Sequence, residues 1–356
     1  MSFQNSTGRT ILWWGRFERN YSRNRILISL LRRNGFILRD FVPLSSYFGA
    51  LQALVTDPGP VDLIWVPCFR HRDFNSARRY GNKHQIPVVF DPLISAWDKA
   101  VYERRKFPPE SRRSKRLLHW EQALFGRADA VIADTHPHAE FYQCSLTSDP
   151  NKTFVIPVGA EQSLFLQQPD HPCGRPPEIL FFGSFIDLQG PEVIVAAARR
   201  VPDARWTMLG DGPLRSDCET GGSGCDNLFF EDWLPYEQLA QRIGKADIIL
   251  GIFGGSAKAS RVIPNKVYQA LACGRPVVTR QSDAYPAILS ENEDEYGLFL
   301  TPPADPAALA EKIQTLLRQP DRFHAWGQGA RLLFDQHFSE TAIETALAEL
   351  FAALEI

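Results

Sequence analysis

The sequence predicts an α/β protein built from two doubly wound, parallel-sheet domains. The chain has 356 residues, which is longer than single hydrophobic cores usually become, so two domains are expected. Short apolar, β-branched or aromatic runs alternate with helical patterns in two separate series, as in parallel sheets covered by helices. A proline-rich polar stretch, residues 167–177, separates the two series and predicts their connection.

The first series predicts a domain over residues 1–168. Its clearest helix begins near Ser22 and ends at Gly35, where glycine suits a left-handed C-cap. Helical patterns lie between most of the strands, so parallel pairing is expected. The predicted strands are 10–14, 36–42, 63–66, 87–90, 130–133 and 153–158.

The second series predicts a domain of the same kind over residues 175–336. Three of its helices are expected to open with proline at the first position, at Pro191, Pro235 and Pro264. A further helix over 306–317 has Asp305 as its predicted N-cap. The predicted strands are 179–182, 206–209, 227–230, 247–252, 276–279 and 297–300.

Composition predicts a folded chain that stays in the cytoplasm. Apolar residues make up 44% and charged residues 22%, as in ordinary globular proteins. No apolar run reaches the length of a membrane-spanning helix, and residues 1–10 lack the apolar core of a signal peptide. The six cysteines are scattered without a C-x-x-C pair, so we expect reduced thiols.

Charge is distributed unevenly along the chain. Residues 1–165 carry 23 Lys and Arg against 15 Asp and Glu, whereas the remainder carries 16 against 26. Eight basic residues lie between Lys99 and Arg116. This stretch is either a solvated loop or a contact for an anionic acceptor or for the inner face of a membrane. Nucleic acid is not an expected partner, because the chain is acidic overall and carries no recognition motif.

Absent motifs remove several kinds of chemistry. The sequence has no phosphate loop of the G-x-x-x-x-G-K-[ST] type, no G-x-G-x-x-G after a strand, no G-x-S-x-G and no H-E-x-x-H. It also has no Asp-x-Asp pair that would hold a metal-bound diphosphate. His136 and His138 lack a third ligand nearby, so we interpret them as surface residues. We therefore predict neither a metal site nor a resident cofactor.

Small-residue turns follow two strands of the second series. Gly183 and Ser184 come after strand 179–182, and Gly210 comes after strand 206–209. Such turns let the backbone approach a ligand closely, and in doubly wound sheets ligands bind at the carboxyl ends of the strands. These positions are candidates for contact with a bound diphosphate.

Three cations precede or open the helix that is predicted to start at Pro264. Lys258, Arg261 and Lys266 lie around its start near Pro264. Together with the helix N-terminus they would stabilise a nucleotide diphosphate, both when it is bound and when it leaves. Gln269 lies one turn further on, where an amide can hydrogen-bond ribose hydroxyls.

The order of these pieces resembles the nucleotide-binding domain of retaining, nucleotide-sugar-dependent glycosyltransferases of the group-1 type. The resemblance runs from Glu178 to about Ala287 and is looser in the first half. It rests on Phe182-Gly183-Ser184, Leu209-Gly210-Asp211-Gly212-Pro213, Asp232-Trp233-Leu234-Pro235, Ala246-Asp247-Ile248-Ile249-Leu250 and the run from Asn265 to Val278 in the second half, and on Tyr21-Ser22-Arg23-Asn24-Arg25, Val89-Phe90-Asp91-Pro92, Ala128-Asp129-Ala130-Val131 and Val155-Ile156-Pro157-Val158-Gly159 in the first.

The sequence departs from the family pattern at defined positions. Arg261 and Gln269 stand where the family usually has two glutamates, and Ser184 and Gln189 stand where it commonly has Arg and Lys. The run Val262-Ile263-Pro264-Asn265-Lys266 resembles a branch that reads "VIPNK", in which the cations are relocated. The resemblance then implies that Lys258, Arg261 and Lys266 hold the diphosphate.

The resemblance implies a GT-B fold, in which two Rossmann-like domains face a central cleft and helix 340–356 crosses back to the first domain. It implies sugar transfer with retained configuration, without a metal, from a nucleotide-diphosphate sugar to a glycan, lipid-linked or small-molecule acceptor. Trp233, Leu234 and Asn265 would lie on the nucleotide side. Gly15 and Arg16 would lie on the acceptor side, and His71 would steer the sugar or the acceptor unless it is an ordinary loop histidine.

Two alternatives remain open from the sequence. The same fold hosts sugar-nucleotide epimerases and hydrolases. The replacements at Arg261 and Gln269 would also suit a protein that binds sugar nucleotides without catalysis.

Overall fold

The computed structural model describes residues 8–169 and 173–356. The polar start of the chain, residues 1–7, and residues 170–172 of the predicted linker lie outside this description. No helix in the described ranges is long and apolar enough to cross a membrane. The six cysteines of the described chain are free thiols.

The chain divides into two compact units. The first runs to Val158 and adds Glu340–Ile356, and the second is Gly159–Ser339. The sequence predicted that the first domain ends ten residues later, at residue 168. The intervening segment packs within the second unit, because the buried Phe165 meets Tyr236 edge-on and Gln168 N donates to Cys273 O at 3.0 Å.

A six-stranded parallel sheet forms the centre of the first unit. Its strands are β1 (Thr10–Trp14), β2 (Ile37–Phe41), β3 (Leu63–Val66), β4 (Val88–Phe90), β5 (Ala130–Ala133) and β6 (Thr153–Val155). The strand order is β2-β1-β3-β4-β5-β6. The helices between them are α1 (Ser22–Arg33), α2 (Gly49–Thr56), α3 (His71–His84), α4 (Ala96–Asp98) with a π-helical turn (Lys99–Glu103), α5 (Arg112–Phe125) and α6 (His136–Leu146).

Both faces of the sheet are buried at the four central strands β1, β3, β4 and β5, which explains their continuous apolar sequences. Trp13 and Trp14 are adjacent, and because successive side chains of a strand point to opposite faces they belong to different cores. Trp14 packs with residues of α2, α3, α5 and α6. Trp13 packs with residues of α1 and of the C-terminal segment 343–351.

The second unit repeats this architecture. Its strands are β7 (Glu178–Phe182), β8 (Arg205–Leu209), β9 (Leu228–Glu231), β10 (Ile248–Leu250), β11 (Val277–Arg280) and β12 (Leu298–Thr301). They pair in parallel in the order β12-β11-β10-β7-β8-β9. The helices are α7 (Pro191–Ala198), α8 (Arg215–Gly221), α9 (Leu239–Gly244), α10 (Asn265–Ala272), α11 (Leu289–Tyr296), α12 (Pro306–Leu317) and α13 (Phe323–His337), and the last helix, α14 (Glu340–Ala353), belongs to the first unit.

Helix starts follow the predictions with two corrections. Pro191 is the first residue of α7, and Asp305 caps α12 by accepting from Ala307 N and Ala308 N at 2.9 and 3.0 Å. Pro264 is the N-cap of α10 instead of its first residue, because its ψ of 148° is extended. Pro235 likewise caps a short 3₁₀ turn, Tyr236–Gln238, that precedes α9.

Candidate functional site

Two glycine turns bring the backbone together at the carboxyl ends of β7 and β8. Gly183 and Gly210 have φ of +145° and +130°, a region that side chains disfavour. A Cβ added to Gly210 would lie 2.1 Å from the carbonyl oxygen of Gly183. A Cβ added to Gly183 would lie 2.8 Å from Lys266 Nζ. Glycine at both positions therefore leaves the ammonium group of Lys266 directly beside the turn after β7.

Lys266 is a buried cation in the first turn of α10. It is only 4% exposed, and its Nζ donates to Gln189 Oε1 and lies 3.6 Å from the centroid of the Phe181 ring. Among the described residues no carboxylate forms an ion pair with it. Burial lowers the pKa of this ammonium group well below its usual value. An anion bound at this place would supply the missing counter-charge.

The other two predicted cations lie in the turn that leads into α10. Lys258 and Arg261 are both partly exposed, and Arg261 N donates to Lys258 O at 3.1 Å. The buried Arg280 at the end of β11 holds this loop by donating from Nη1 to Gly254 O and Ser256 O at 2.6 and 3.1 Å. Sequence reasoning missed Arg280, although an arginine ending an apolar strand was a visible signal.

Gln269 belongs to an internal hydrogen-bond chain. Its side chain is buried and its Nε2 donates to Tyr236 Oη at 3.3 Å. The Tyr236 hydroxyl in turn donates to Glu161 Oε1 at 3.3 Å. Sequence reasoning missed Tyr236 and Glu161, since neither lies near Gln269 along the chain. The side-chain amide of Gln269, which we predict to bind ribose, thus already donates one hydrogen bond within the protein. The buried carboxylate of Glu161 is linked to it through the Tyr236 hydroxyl.

The remaining predicted donor-side residues are accessible. Trp233 is 53% exposed, and Leu234 next to it is partly exposed. Ser184 and Asn265 are partly exposed, and their side chains make no hydrogen bond to the described residues. Asn265 opens α10 immediately before Lys266, where helix N–H groups lack intrahelical partners. These side chains and N–H groups are available to a ligand.

The predicted acceptor-side residues lie at the carboxyl end of β1. Gly15 has φ of +144°, and a Cβ there would lie 3.0 Å from Arg70 Cγ. The Arg16 side chain donates from Nη2 to Ser46 Oγ at 2.9 Å. This contact directs the guanidinium toward the loop that follows β2.

His71 opens α3 and is buried. Its Nε2 donates to Ile94 O at 3.0 Å and lies 3.3 Å from Glu121 Oε1. Burial raises the pKa of Glu121, but hydrogen bonds from His71, Trp97 and Ser95 outweigh it and hold the pKa below its usual value. Nδ1 of His71 makes no hydrogen bond to the described residues, so in the neutral ring it is an acceptor. His71 therefore lies at the start of a helix and in a buried network, and not in a loop as one interpretation of the sequence had it.

The interpretation of His136 and His138 as surface residues is correct only for His136. His138 is buried, and its Nδ1 lies 2.5 Å from Asp134 Oδ1. Its ring also packs against the Tyr142 ring, with centroids 4.3 Å apart and the ring planes tilted by 44°. The helical spacing of four residues between Asp134 and His138 was the signal that sequence reasoning overlooked. In the described chain no group of three or more His, Cys, Asp or Glu could hold a metal ion.

Family comparisons match both halves of the chain. A family model described as glycosyl transferases group 1 matches residues 176–319, and a glycosyl transferase 4-like domain matches residues 23–159. The chain is 26% identical to a sulfoquinovosyl transferase of Arabidopsis thaliana over 140 residues, which are 39% of this chain and 26% of that protein. It is 25% identical to a D-inositol 3-phosphate glycosyltransferase of Segniliparus rotundus over 254 residues, 66% of this chain and 54% of the relative. The matches thus span about half of these relatives or less.

Solved structures share the fold of the whole chain. HepE of Anabaena in complex with UDP has a TM-score of 0.70 at 16% identity, covering 97% of this chain and 100% of that one. Sucrose-phosphate synthase of Thermosynechococcus elongatus has a TM-score of 0.72 at 18% identity, covering 97% and 99%. The predicted α/β fold with two Rossmann-like domains of the GT-B type is confirmed. Each unit therefore contains one region that matches a glycosyltransferase domain, the 4-like domain in the first unit and the group-1 domain in the second.

Proposed function

We propose that this chain is a glycosyltransferase that moves a sugar from a nucleotide-diphosphate sugar to an acceptor hydroxyl with retained configuration. The donor binds to the second unit, and the acceptor, a glycan, a lipid-linked molecule or a small molecule, binds to the first. The protein works in the cytoplasm, with its basic stretch from Lys99 to Arg116 in contact with the inner face of a membrane. The family-model matches in both halves of the chain and the nucleotide-sugar complex among the structural neighbours support this proposal.

One observation carries the donor assignment: the buried Lys266 lacks a carboxylate partner among the described residues and lies beside the glycine turn after β7. A phosphate group in that position would accept from Nζ and from the free N–H groups at the start of α10. Lys258 and Arg261, in the turn before α10, would neutralise the remaining charge of the diphosphate.

The mechanism follows from this electrostatic arrangement. When the bond between the anomeric carbon and the diphosphate oxygen breaks, negative charge increases on that oxygen, and fixed cations stabilise it without reorganising. We propose that this stabilisation, without a catalytic metal, provides most of the rate enhancement. In the neutral ring, Nδ1 of His71 is an acceptor that can take a hydrogen bond from a sugar or acceptor hydroxyl.

A thermal-shift panel of UDP, GDP, ADP and dTDP tests the donor assignment. A ligand that binds only the native state raises the melting temperature, so one of these diphosphates is expected to stabilise the protein selectively. UDP is the first candidate, because HepE of Anabaena was solved with UDP, with UDP and glucose, and with UDP-glucose. If none of the four diphosphates changes the melting temperature, the assignment of the donor site is wrong. Binding followed by release of free sugar without any acceptor would instead indicate a hydrolase.

A further inference from the structure

A run of large apolar side chains lies exposed directly after β2. Leu44 is 87% exposed and Tyr47 and Val55 are each 79% exposed, and Val42, Phe48 and Leu51 beside them are also exposed. We name these six residues the outer apolar surface. They occupy the loop 42–48 and the outward side of α2. Contiguous apolar residues of this kind on a protein surface mark an interaction site.

Helix α2 shows why these side chains point outward. Surface helices normally bury their large apolar residues, but the buried residues of α2 are Gly49 and Ala53. A Cβ added to Gly49 would lie 2.9 Å from Ser76 Oγ of α3, so only a small residue allows this close packing. The smallest residues of α2 thus make its buried contacts. Leu51 and Val55 are four positions apart and share the outward side of the helix.

Unpaired basic residues border the outer apolar surface. Tyr47 lines an open cavity of about 410 Å³ together with Arg72 and Arg79 of α3 and Leu117 and Trp120 of α5. Arg72 and Arg79 are exposed and lie two helical turns apart, on the same side of α3. Neither forms an ion pair with the described residues.

Helix α5 extends this basic border. Arg113 and Arg116 are exposed and lie one turn before the cavity-lining Leu117 and Trp120. They too form no ion pair with the residues that the structure describes. Helices α2, α3 and α5 cover the same face of the first sheet, so the apolar and basic side chains belong to neighbouring elements. A partner of this region must accept apolar side chains and carry negative charge.

We propose that the outer apolar surface enters the interface of an anionic lipid bilayer while Arg72, Arg79, Arg113 and Arg116 contact the lipid phosphates. Aromatic and aliphatic side chains beside arginines are the combination by which proteins bind anionic bilayers from one side. A second copy of this chain would bring like charges together, which disfavours self-association. The inference deepens and rests on the membrane contact of the proposed function. To Arg113 and Arg116, which lie within the stretch from Lys99 to Arg116, it adds Arg72, Arg79 and the outer apolar surface.

Vesicle co-sedimentation tests the inference. The probes are vesicles of phosphatidylcholine with phosphatidylglycerol and vesicles of phosphatidylcholine alone. The wild type is expected to bind the anionic vesicles and to lose binding as salt rises. The triple variant Leu44→Ser, Tyr47→Ser, Phe48→Ser is expected to bind at least about tenfold more weakly. The double variant Arg72→Gln, Arg79→Gln is expected to lose most of the preference for anionic vesicles.

A matched control replaces exposed apolar residues of the second unit, Ile288→Ser with Leu332→Ser, and is expected to bind as the wild type does. Failure of the wild type to bind anionic vesicles, or equal binding by the triple variant, overturns the inference. A wild type that is dimeric by light scattering and a triple variant that is monomeric would make the surface a self-association site instead. UDP affinity without vesicles is measured on every variant, and its absence in the wild type would refute the donor assignment independently of the vesicle result.

Discussion

Arg23 of the first unit and Lys266 of the second are both buried cations, but they differ in how their charge is compensated. Arg23 in α1 donates from Nε to both carboxylate oxygens of Asp91 at 2.9 and 2.8 Å and from Nη1 to Ile156 O at 3.1 Å. Among the described residues, Lys266 in α10 contacts the amide oxygen of Gln189 and the rings of Phe181 and Phe182, but no carboxylate. The first charge is neutralised by the fold itself, whereas no carboxylate of the described residues neutralises the second, for which we propose a bound ligand. This difference separates a structural cation from a candidate binding cation.

The largest effect is expected when the compensated pair is broken. Asp91→Ala leaves the buried Arg23 without its counter-ion, and we expect the free energy of unfolding to fall by about 3–5 kcal/mol. Urea denaturation of the wild type and the variant measures this difference in the free energy of unfolding. In the same unit the exposed pair of Arg19 and Asp40 provides the control, since Asp40→Ala is expected to cost less than about 1 kcal/mol. Equal losses in the two variants would mean that burial does not decide the energy of these pairs.

Removing the uncompensated cation is expected to stabilise the ligand-free protein. Lys266→Met keeps an apolar stem of similar length and removes a buried ammonium group. We expect the free energy of unfolding to rise by about 1–4 kcal/mol, the range for buried ion pairs that are replaced by apolar side chains, because the desolvation cost of the charge is removed in both cases. Denaturant unfolding without nucleotide is the measurement. A large loss of stability would show that Lys266 is part of the structural framework.

The same lysine predicts a pH dependence. Because burial lowers its folded-state pKa, the unfolded chain binds more protons at every pH between that lowered pKa and the ordinary value of 10.5. Wild-type stability relative to Lys266→Met therefore rises with pH through this window and levels off at either side. Unfolding of both proteins across a neutral to alkaline pH series checks the sign. A difference that does not change with pH would mean that Lys266 titrates normally.

The smallest effect is expected from metal removal. If cations of the protein neutralise the diphosphate, transfer activity in excess EDTA should equal that in its absence. Sugar-transfer assays with and without the chelator make this comparison. Complete loss of activity that manganese restores would assign the charge stabilisation to a metal.

The fold could be predicted from the sequence because its signals are local. Alternating strand and helix patterns and the cap at Asp305 lie within short stretches, and all twelve predicted strands are present. The predicted strand over 153–158 ends earlier, at Val155, because Pro157 cannot donate a ladder hydrogen bond. Patterns among residues that are close in sequence were therefore sufficient to predict the architecture.

The partners of the candidate site residues could not be predicted in the same way. Lys266 with Gln189, Gln269 with Tyr236 and His71 with Glu121 join residues that are distant along the chain. Tertiary packing brings these residues together, and no local sequence pattern predicts their contacts. The sequence could indicate that Lys266 is a cation at a helix start, but only the structure shows that it is buried without a carboxylate among the described residues.

Calorimetric titration of UDP into the wild type, Lys266→Met and Lys245→Met tests the central claim most directly. Lys245 is an exposed lysine of the same unit and serves as the matched control. The account predicts that Lys266→Met weakens binding by about 1.5–3 kcal/mol, the scale of a charge-assisted hydrogen bond, while Lys245→Met leaves it unchanged. UDP binding of equal strength in the wild type and Lys266→Met would contradict the assignment of Lys266 to the donor diphosphate.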